Sequence, residues 1–205
     1  MESRAGSPCV GYTLHGSRYL NITNRCTLRC GFCPKLDGRW TVQDYDLRLR
    51  GTQPTVDEIV AAVGDAANVD EVVFCGLGEP TLRLDTLLEV ASRLRGKVPR
   101  LRLNTDGLAN LVYRHDVTPD LENLIQSMSV SLNGQDEETY NRHCRPPLDG
   151  AHAAVLGFVR RARKFVPEIT LTAIDGLPGL DIDACRKIAD DLGVGFRRRV
   201  LDVVG

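Results

Sequence analysis

The sequence predicts an α/β domain built on a parallel sheet, and three observations carry that prediction. Six short apolar or alternating runs are separated by stretches of helical periodicity, the pattern of strands joined by helical crossovers. Crossovers of this kind are right-handed and bring successive strands into one sheet. A chain of 205 residues gives one domain a sizeable core and leaves little room for a second. No internal repeat or low-complexity segment interrupts the alternation. Six βα units can form an open doubly wound sheet or an incomplete barrel, and periodicity does not choose between them.

Residues 1–17 carry Gly, Ser and Pro without periodicity and read as a loose N-terminal arm or a short hairpin. The remainder, 18–205, reads as one core domain. Arg18–Thr23 is the first strand, followed by a long polar connection over 35–53 that holds Trp40, Tyr45, Arg48 and Arg50. Connections of that length serve as substrate lids or as plain surface loops. Thr55 and Glu58 form a capping-box signature for a helix through Val63, because each side chain can satisfy a free N–H at a helix start. Asp70–Cys75 is the second strand. Leu84, Leu87, Leu88 and Ala91 fall on one face of a helix running to Leu94.

The third strand is Arg100–Asn104, and Thr118-Pro119 starts a helix expected to reach Gln126. Ser127–Leu132 is the fourth strand. A helix over Asp136–His143 stops before Pro146-Pro147, and another runs from Ala151 to Phe165. Glu168–Ile174 is the fifth strand, Asp181 caps a helix through Leu192, and Phe196–Leu201 is the sixth strand.

Composition excludes several classes. The apolar fraction of 42% and charged fraction of 26% are those of a soluble globular protein. No stretch approaches the roughly 20 apolar residues that span a bilayer, and the N-terminus lacks a signal-peptide apolar core, so a cytoplasmic protein is expected. A net charge of −1 creates no field that recruits nucleic acid. The basic runs Arg160-Arg161-Ala162-Arg163-Lys164 and Arg197-Arg198-Arg199 read as a solvated helix face and an edge strand. Seven cysteines, an odd number with three clustered, fit a reducing compartment better than a disulfide framework. Cys9, Cys75, Cys144 and Cys185 are scattered singly.

Chemistry concentrates in Asn21-Ile22-Thr23-Asn24-Arg25-Cys26-Thr27-Leu28-Arg29-Cys30-Gly31-Phe32-Cys33-Pro34, directly after the first strand. Three thiolates spaced C-x3-C-x2-C can ligate only one small centre. Structural zinc takes four protein ligands and an iron–sulfur cube has four irons, so either reading leaves one position that this loop does not fill. A distant residue closes the site, or it stays open for a ligand that does chemistry.

This loop, with Phe32 just before its last cysteine, resembles that of the radical S-adenosylmethionine (SAM) enzymes. The resemblance implies a (β/α)6 partial TIM barrel, the radical SAM core, covering residues 18–205. It implies that Cys26, Cys30 and Cys33 hold three irons of a [4Fe-4S] cluster, with the fourth chelated by the amino and carboxylate groups of SAM. In such a fold the functional groups gather at the carboxyl ends of the strands. After the second strand, Cys75-Gly76-Leu77-Gly78-Glu79-Pro80 looks like the family's glycine-glycine-glutamate motif, which receives the SAM amino group. Leu77 replaces the first of the paired glycines, so the match carries over to Gly78 and Glu79.

Asn104-Thr105-Asp106-Gly107 ends the third strand and is either a turn or a contact to SAM or substrate, through Asn104 or Thr105. On the fourth strand, alternation places Ser129, Ser131 and Asn133 on one face, polar where a barrel interior should be apolar. Buried hydroxyls and amides need partners. Similar enzymes place ribose contacts there, which assigns Ser131 and Asn133 to the ribose diol. Thr172 to Ile174 on the fifth strand can pack on adenine. Candidate substrate contacts are Trp40, Tyr45, His143, Cys144 and Arg199.

The implied activity is reductive cleavage of SAM to methionine and a 5′-deoxyadenosyl radical, which abstracts hydrogen from a substrate the sequence does not name. With no second cysteine cluster, an external flavodoxin or ferredoxin is the expected electron donor. Within the superfamily, Tyr19-Leu-Asn-Ile-Thr-Asn-Arg-Cys26, Glu71-Val-Val-Phe-Cys-Gly76, Ser131-Leu-Asn133 and Glu138-Thr-Tyr-Asn-Arg142 most resemble the proteins linked to TatD-family nucleases. That likeness implies association with such a nuclease. The alternatives are an activase that installs a glycyl radical on a partner, an enzyme acting on a purine-like small molecule, and a non-enzymatic metal module that binds nucleic acid.

Overall fold

The computed structural model describes residues 8–65 and 69–201. Its first two strands, β1 (Gly11–Leu14) and β2 (Ser17–Leu20), form an antiparallel hairpin turned by His15 and Gly16, both at positive φ. The segment before residue 18 thus takes the hairpin form and adds an edge strand to the sheet. β2 is shorter than expected from the sequence, because the chain leaves the ladder at Asn21 to begin the cysteine loop.

The long connection contains a two-residue hairpin, β3 (Thr41–Val42) with β4 (Tyr45–Asp46). α1 (Val56–Val63) starts from the full capping box expected at Thr55 and Glu58. There follow β5 (Val72–Phe74), α2 (Leu84–Leu94), β6 (Leu101–Thr105) and a short α3 (Ala109–Tyr113) that the sequence reading did not include. The helix expected from Thr118 to Gln126 is instead a single 3-10 turn, Thr118–Leu121. Glu122 turns extended and Asn123 takes φ of 60°, a left-handed value that no helix continues through.

The chain then forms β7 (Ser127–Ser131), α4 (Glu137–Cys144), α5 (Ala151–Ala162), β8 (Glu168–Asp175), α6 (Ile182–Leu192) and β9 (Gly195–Val200). α5 ends three residues before the expected Phe165, where the amide N–H of Phe165 turns back to the carbonyl of Ala162.

The strand order β1-β2-β5-β6-β7-β8-β9 decides between the two architectures. From β2 to β9 every pair is parallel and each new strand adds on the same side. A doubly wound sheet would reverse its order at a switch point. Here successive right-handed crossovers put the helices on one face and the sheet curls as a partial barrel.

The two faces of the sheet differ in chemistry. Leu20, Phe74, Leu101, Leu103, Met128, Val130, Leu171 and Ala173 pack outward against Ile59, Leu87, Val90, Val155, Phe158 and Cys185 in the main apolar core. The side chains alternate with these along the strands, so the inner face carries Tyr19, Arg102, Asn104, Ser129, Ser131, Thr172, Arg197 and Arg199. A closed barrel would fill that interior with branched apolar side chains. This one is polar, and therefore built to hold something other than itself.

Candidate active site

The cysteine loop takes its shape from contacts far along the chain. Its Arg25 carbonyl accepts the Glu79 N–H at 2.7 Å. The Arg29 and Gly31 N–H groups donate to the last carbonyls of α4, those of Cys144 at 3.1 Å and His143 at 2.8 Å. A Cβ on Gly78 would lie 2.1 Å from the Thr23 carbonyl oxygen, so only glycine lets the two backbones meet. The observed reason for glycine there is this close approach to the chain just before Cys26.

Cys26, Cys30 and Cys33 are half-buried and line a cavity of about 440 Å³ together with Phe32. Burial pushes the Cys26 thiol up to about 12 and raises that of Cys33. The Cys30 thiol is raised by the adjoining thiol of Cys144 and by burial. Thiols raised in this way stay protonated unless a bound cation is near, and a metal centre held there would supply the positive charge that makes them thiolates. Among the described residues, no three Cys, His, Asp or Glu side chains converge as a single metal ion requires.

Glu79, the acid of the second-strand motif, lines the same cavity as the three cysteines and is heavily supported. Glu79 is buried; its Oε1 accepts bonds from the Thr81 N–H and hydroxyl and from the Thr105 hydroxyl, and its Oε2 from the Asp106 N–H at 2.7 Å. It thereby ties the end of β5 to the end of β6. Asp106, which the sequence reading treated as part of a turn, is buried in the same cavity wall. One of its oxygens accepts the Leu108 N–H, as turn chemistry predicts, but Oδ2 has no partner. Burial raises both carboxyls, and the Glu79 charge raises Asp106 further.

Unpartnered buried polar atoms recur around this cavity. Asn104 Oδ1, Asp106 Oδ2, Asn133 Oδ1 and Arg199 Nε are all buried without a hydrogen bond. Native proteins rarely leave such groups bare, because each costs about 1–3 kcal/mol. Ser131 lines the same wall, as do Thr172 and Ile174. Asn133 is held at φ of 47° directly after β7, a conformation that Asn tolerates better than most residues.

The structure sets the other expected substrate contacts elsewhere. Cys144 is fully buried in the apolar core, and the His143 ring bonds the Pro178 carbonyl at 2.9 Å, so both support the cysteine loop from behind and do not line the cavity. Trp40 accepts the Leu47 N–H through its carbonyl, and the Tyr45 ring packs tilted against that of Tyr12 with centroids 5.5 Å apart; neither lines the cavity. Arg199 does line it. Arg197 lines it as well while staying exposed, so β9 is the edge strand the sequence implied and Arg199 is the half-buried inward member of its arginine run.

The connection over 35–53 is pinned at its far end. Asn21 Nδ2 donates to the carbonyls of Cys9 and Leu47, while Asn24 donates to Leu47 and accepts the Leu49 N–H at 2.7 Å. Lys35 Nζ reaches the carbonyls of Asn24 and Leu77 across the cavity lip. These contacts join residues some 25 positions apart, which no local pattern reveals.

Cavity-facing thiols from one loop, a buried acid at the next strand end and bare amide and carboxylate oxygens fit an open cluster with a small polar cosubstrate. Comparison with known proteins agrees. The GTP 3′,8-cyclase of Paenarthrobacter nicotinovorans is 31% identical over 155 residues, covering 69% of this chain and 40% of that protein. The corresponding cyclase of Rhodopirellula baltica is 27% identical over 150 residues, covering 69% of this chain and 39% of that protein. The chain thus spans about two-fifths of the length of these relatives.

Among solved structures, TYW1 with a lysine-pyruvate adduct bound superposes with a TM-score of 0.63 at 14% identity, over 93% of this chain and 66% of that one. Streptococcus suis SuiB bound to S-adenosylmethionine gives 0.62 at 14% identity, over 91% and 38%. At such identities the likeness shows the fold alone. A family model described as Radical SAM superfamily matches residues 20–192, which takes in the cysteine loop and the strands β5 to β8. The chain belongs to the radical SAM superfamily, a superfamily of enzymes.

Proposed function

We propose that this protein binds a [4Fe-4S] cluster through Cys26, Cys30 and Cys33 and uses it to cleave SAM. The observation that carries the reading is the meeting, in one cavity, of three thiols from a single loop with buried oxygens that lack partners. When bound, the cluster supplies the electron that splits the sulfonium of SAM into methionine and a 5′-deoxyadenosyl group able to take hydrogen from a C–H bond. The chain's own part is to bind, orient and exclude water. Glu79 faces the methionine amino group, Ser131 and Asn133 bind the ribose diol, Asn104 takes a donor from cosubstrate or substrate, and Phe32 packs beside the cluster. Residues 18–205 form the catalytic core behind the arm of residues 1–17.

An external flavodoxin or ferredoxin delivers the electron, and the site of action is the cytoplasm; no helix among the described residues is long and apolar enough to cross a membrane. The TatD-linked branch is our reading of the finer resemblance, with a nuclease of that family as partner. A purine-like substrate is the second reading, favoured by the two relatives named as cyclases of GTP.

The test is anaerobic reconstitution with iron and sulfide, followed by dithionite and SAM and chromatography for 5′-deoxyadenosine. The wild type should release it and Cys30→Ala should not. Cluster-loaded protein that releases none, or protein that holds zinc with four endogenous donors, would remove the reading.

A further inference from the structure

The inner face of the sheet gathers guanidinium groups that the chemistry proposed above does not use. Arg102 from β6 and Arg197 and Arg199 from β9 all line the 440 Å³ cavity. Arg102 and Arg197 also line a second cavity of about 400 Å³ toward the other end of the strands. Asp70, Glu71 and Glu168 line that second cavity too, but of these only Glu71 forms an ion pair with one of the three arginines. Arg102 reaches Glu71 at 2.9 Å and lies 3.4 Å from the Tyr19 hydroxyl, but its Nε has no partner. Arg199 Nε is likewise buried and bare. Among the described residues, Arg197 and Arg199 enter no ion pair, whereas Arg198, on the opposite face of the same strand, pairs with Asp175.

The positive charges are close enough to feel one another: burial and the neighbouring Arg102 and Arg199 pull Arg197 down from the usual arginine range. Like charges brought together in a partly dry cavity are unfavourable unless an anion joins them. A guanidinium fork suits carboxylate and phosphate oxygens in particular, through paired N–H donors. Because the sheet curls, the group draws strands from both ends of the parallel run together: Arg102 on β6 reaches the Tyr19 hydroxyl on β2, and Tyr19 also acts on Arg197 of β9.

We infer that Arg102, Arg197 and Arg199 form an anion subsite that holds a phosphate or carboxylate group of the substrate in the cavity that the cysteine loop also lines. Naming the ligand as substrate rests on the radical SAM reading; the anion subsite itself stands on the arginines. SAM carries a carboxylate of its own, which is the competing occupant.

Calorimetric titration of inorganic pyrophosphate and of malonate into the cluster-reconstituted full chain, with and without saturating SAM, decides the matter, with 5′-deoxyadenosine release followed on the same preparation. Saturable binding of either probe should persist under saturating SAM. It should weaken about tenfold or more in Arg197→Met and Arg199→Met and stay within about twofold in Arg198→Met, since a charge-assisted pair is lost only in the first two. Tighter pyrophosphate binding assigns a phosphoryl group; tighter malonate binding assigns a carboxylate.

No saturable binding to the wild type, displacement of both probes by SAM, or equal weakening in Arg198→Met overturns the subsite. The wild-type arms stand even if a variant fails to fold. Release of 5′-deoxyadenosine without anion binding removes the subsite and keeps the radical chemistry, and the reverse result removes the chemistry and keeps the subsite.

Discussion

Glu79 and Asp106 share one buried network in which both carboxyls titrate above their ordinary range. Unfolded carboxylates lose their protons near pH 4. Above that pH the unfolded chain is ionised while the folded protein still holds protons, so folding stability falls as pH rises toward the raised folded values. The slope reaches at most ~1.4 kcal/mol per pH unit for each group. For the cluster-free protein, urea midpoints should therefore drop between pH 5 and pH 7.5, and Asp106→Asn should flatten the drop. A midpoint that climbs over that range would contradict the network. Glu79 was legible from the sequence because a motif carried it. Asp106 was hidden, because Asn-Thr-Asp-Gly is also good turn chemistry and Asp106 performs that turn role too, capping the Leu108 N–H with its other oxygen. The inward arginines were hidden for a related reason: a run of arginines on a last strand ordinarily faces water.

Elements that rest on local signals formed where the sequence placed them: the capping box of α1, the Asp181 cap of α6, and the strands β6, β7 and β8. The segment after Thr118 failed because a left-handed Asn123 outweighs a favourable Pro start. The 35–53 connection read as a lid or a surface loop, and the fixing contacts come from Asn21 and Asn24 on a different segment. Asn24→Ala removes one donor and one acceptor to that segment, a local loss of about 1–3 kcal/mol. Trypsin should then cut faster after the exposed Arg48 and Arg50; an unchanged cleavage rate would show that the pin does not hold the loop. Gly78→Ala tests the neighbouring contact. Its Cβ would press on the Thr23 carbonyl, and overpacking of this kind costs about 1–3 kcal/mol. The iron content of the reconstituted protein, measured per folded molecule, should fall with it.

At the scale of the whole molecule, stability and site are carried by opposite faces of the same sheet. Phe158 on α5 is buried in the outer core, so Phe158→Ala should lower global stability by about 3–5 kcal/mol. Iron bound per folded molecule should not change, in contrast to Gly78→Ala. Parallel loss of both would mean that the two faces are not separable. The alternation of strands and helices made the outer layer readable from sequence; the choice of partial barrel over open sheet needed strand order, which no single segment encodes. The cysteine loop has a consequence for biogenesis. It borrows one backbone partner from residue 79 and two from residues 143 and 144. A nascent chain that has emerged only as far as residue 100 therefore possesses all three thiols but no finished cradle. If the proposed cluster is built on this loop, its assembly would have to wait until most of the polypeptide has left the ribosome.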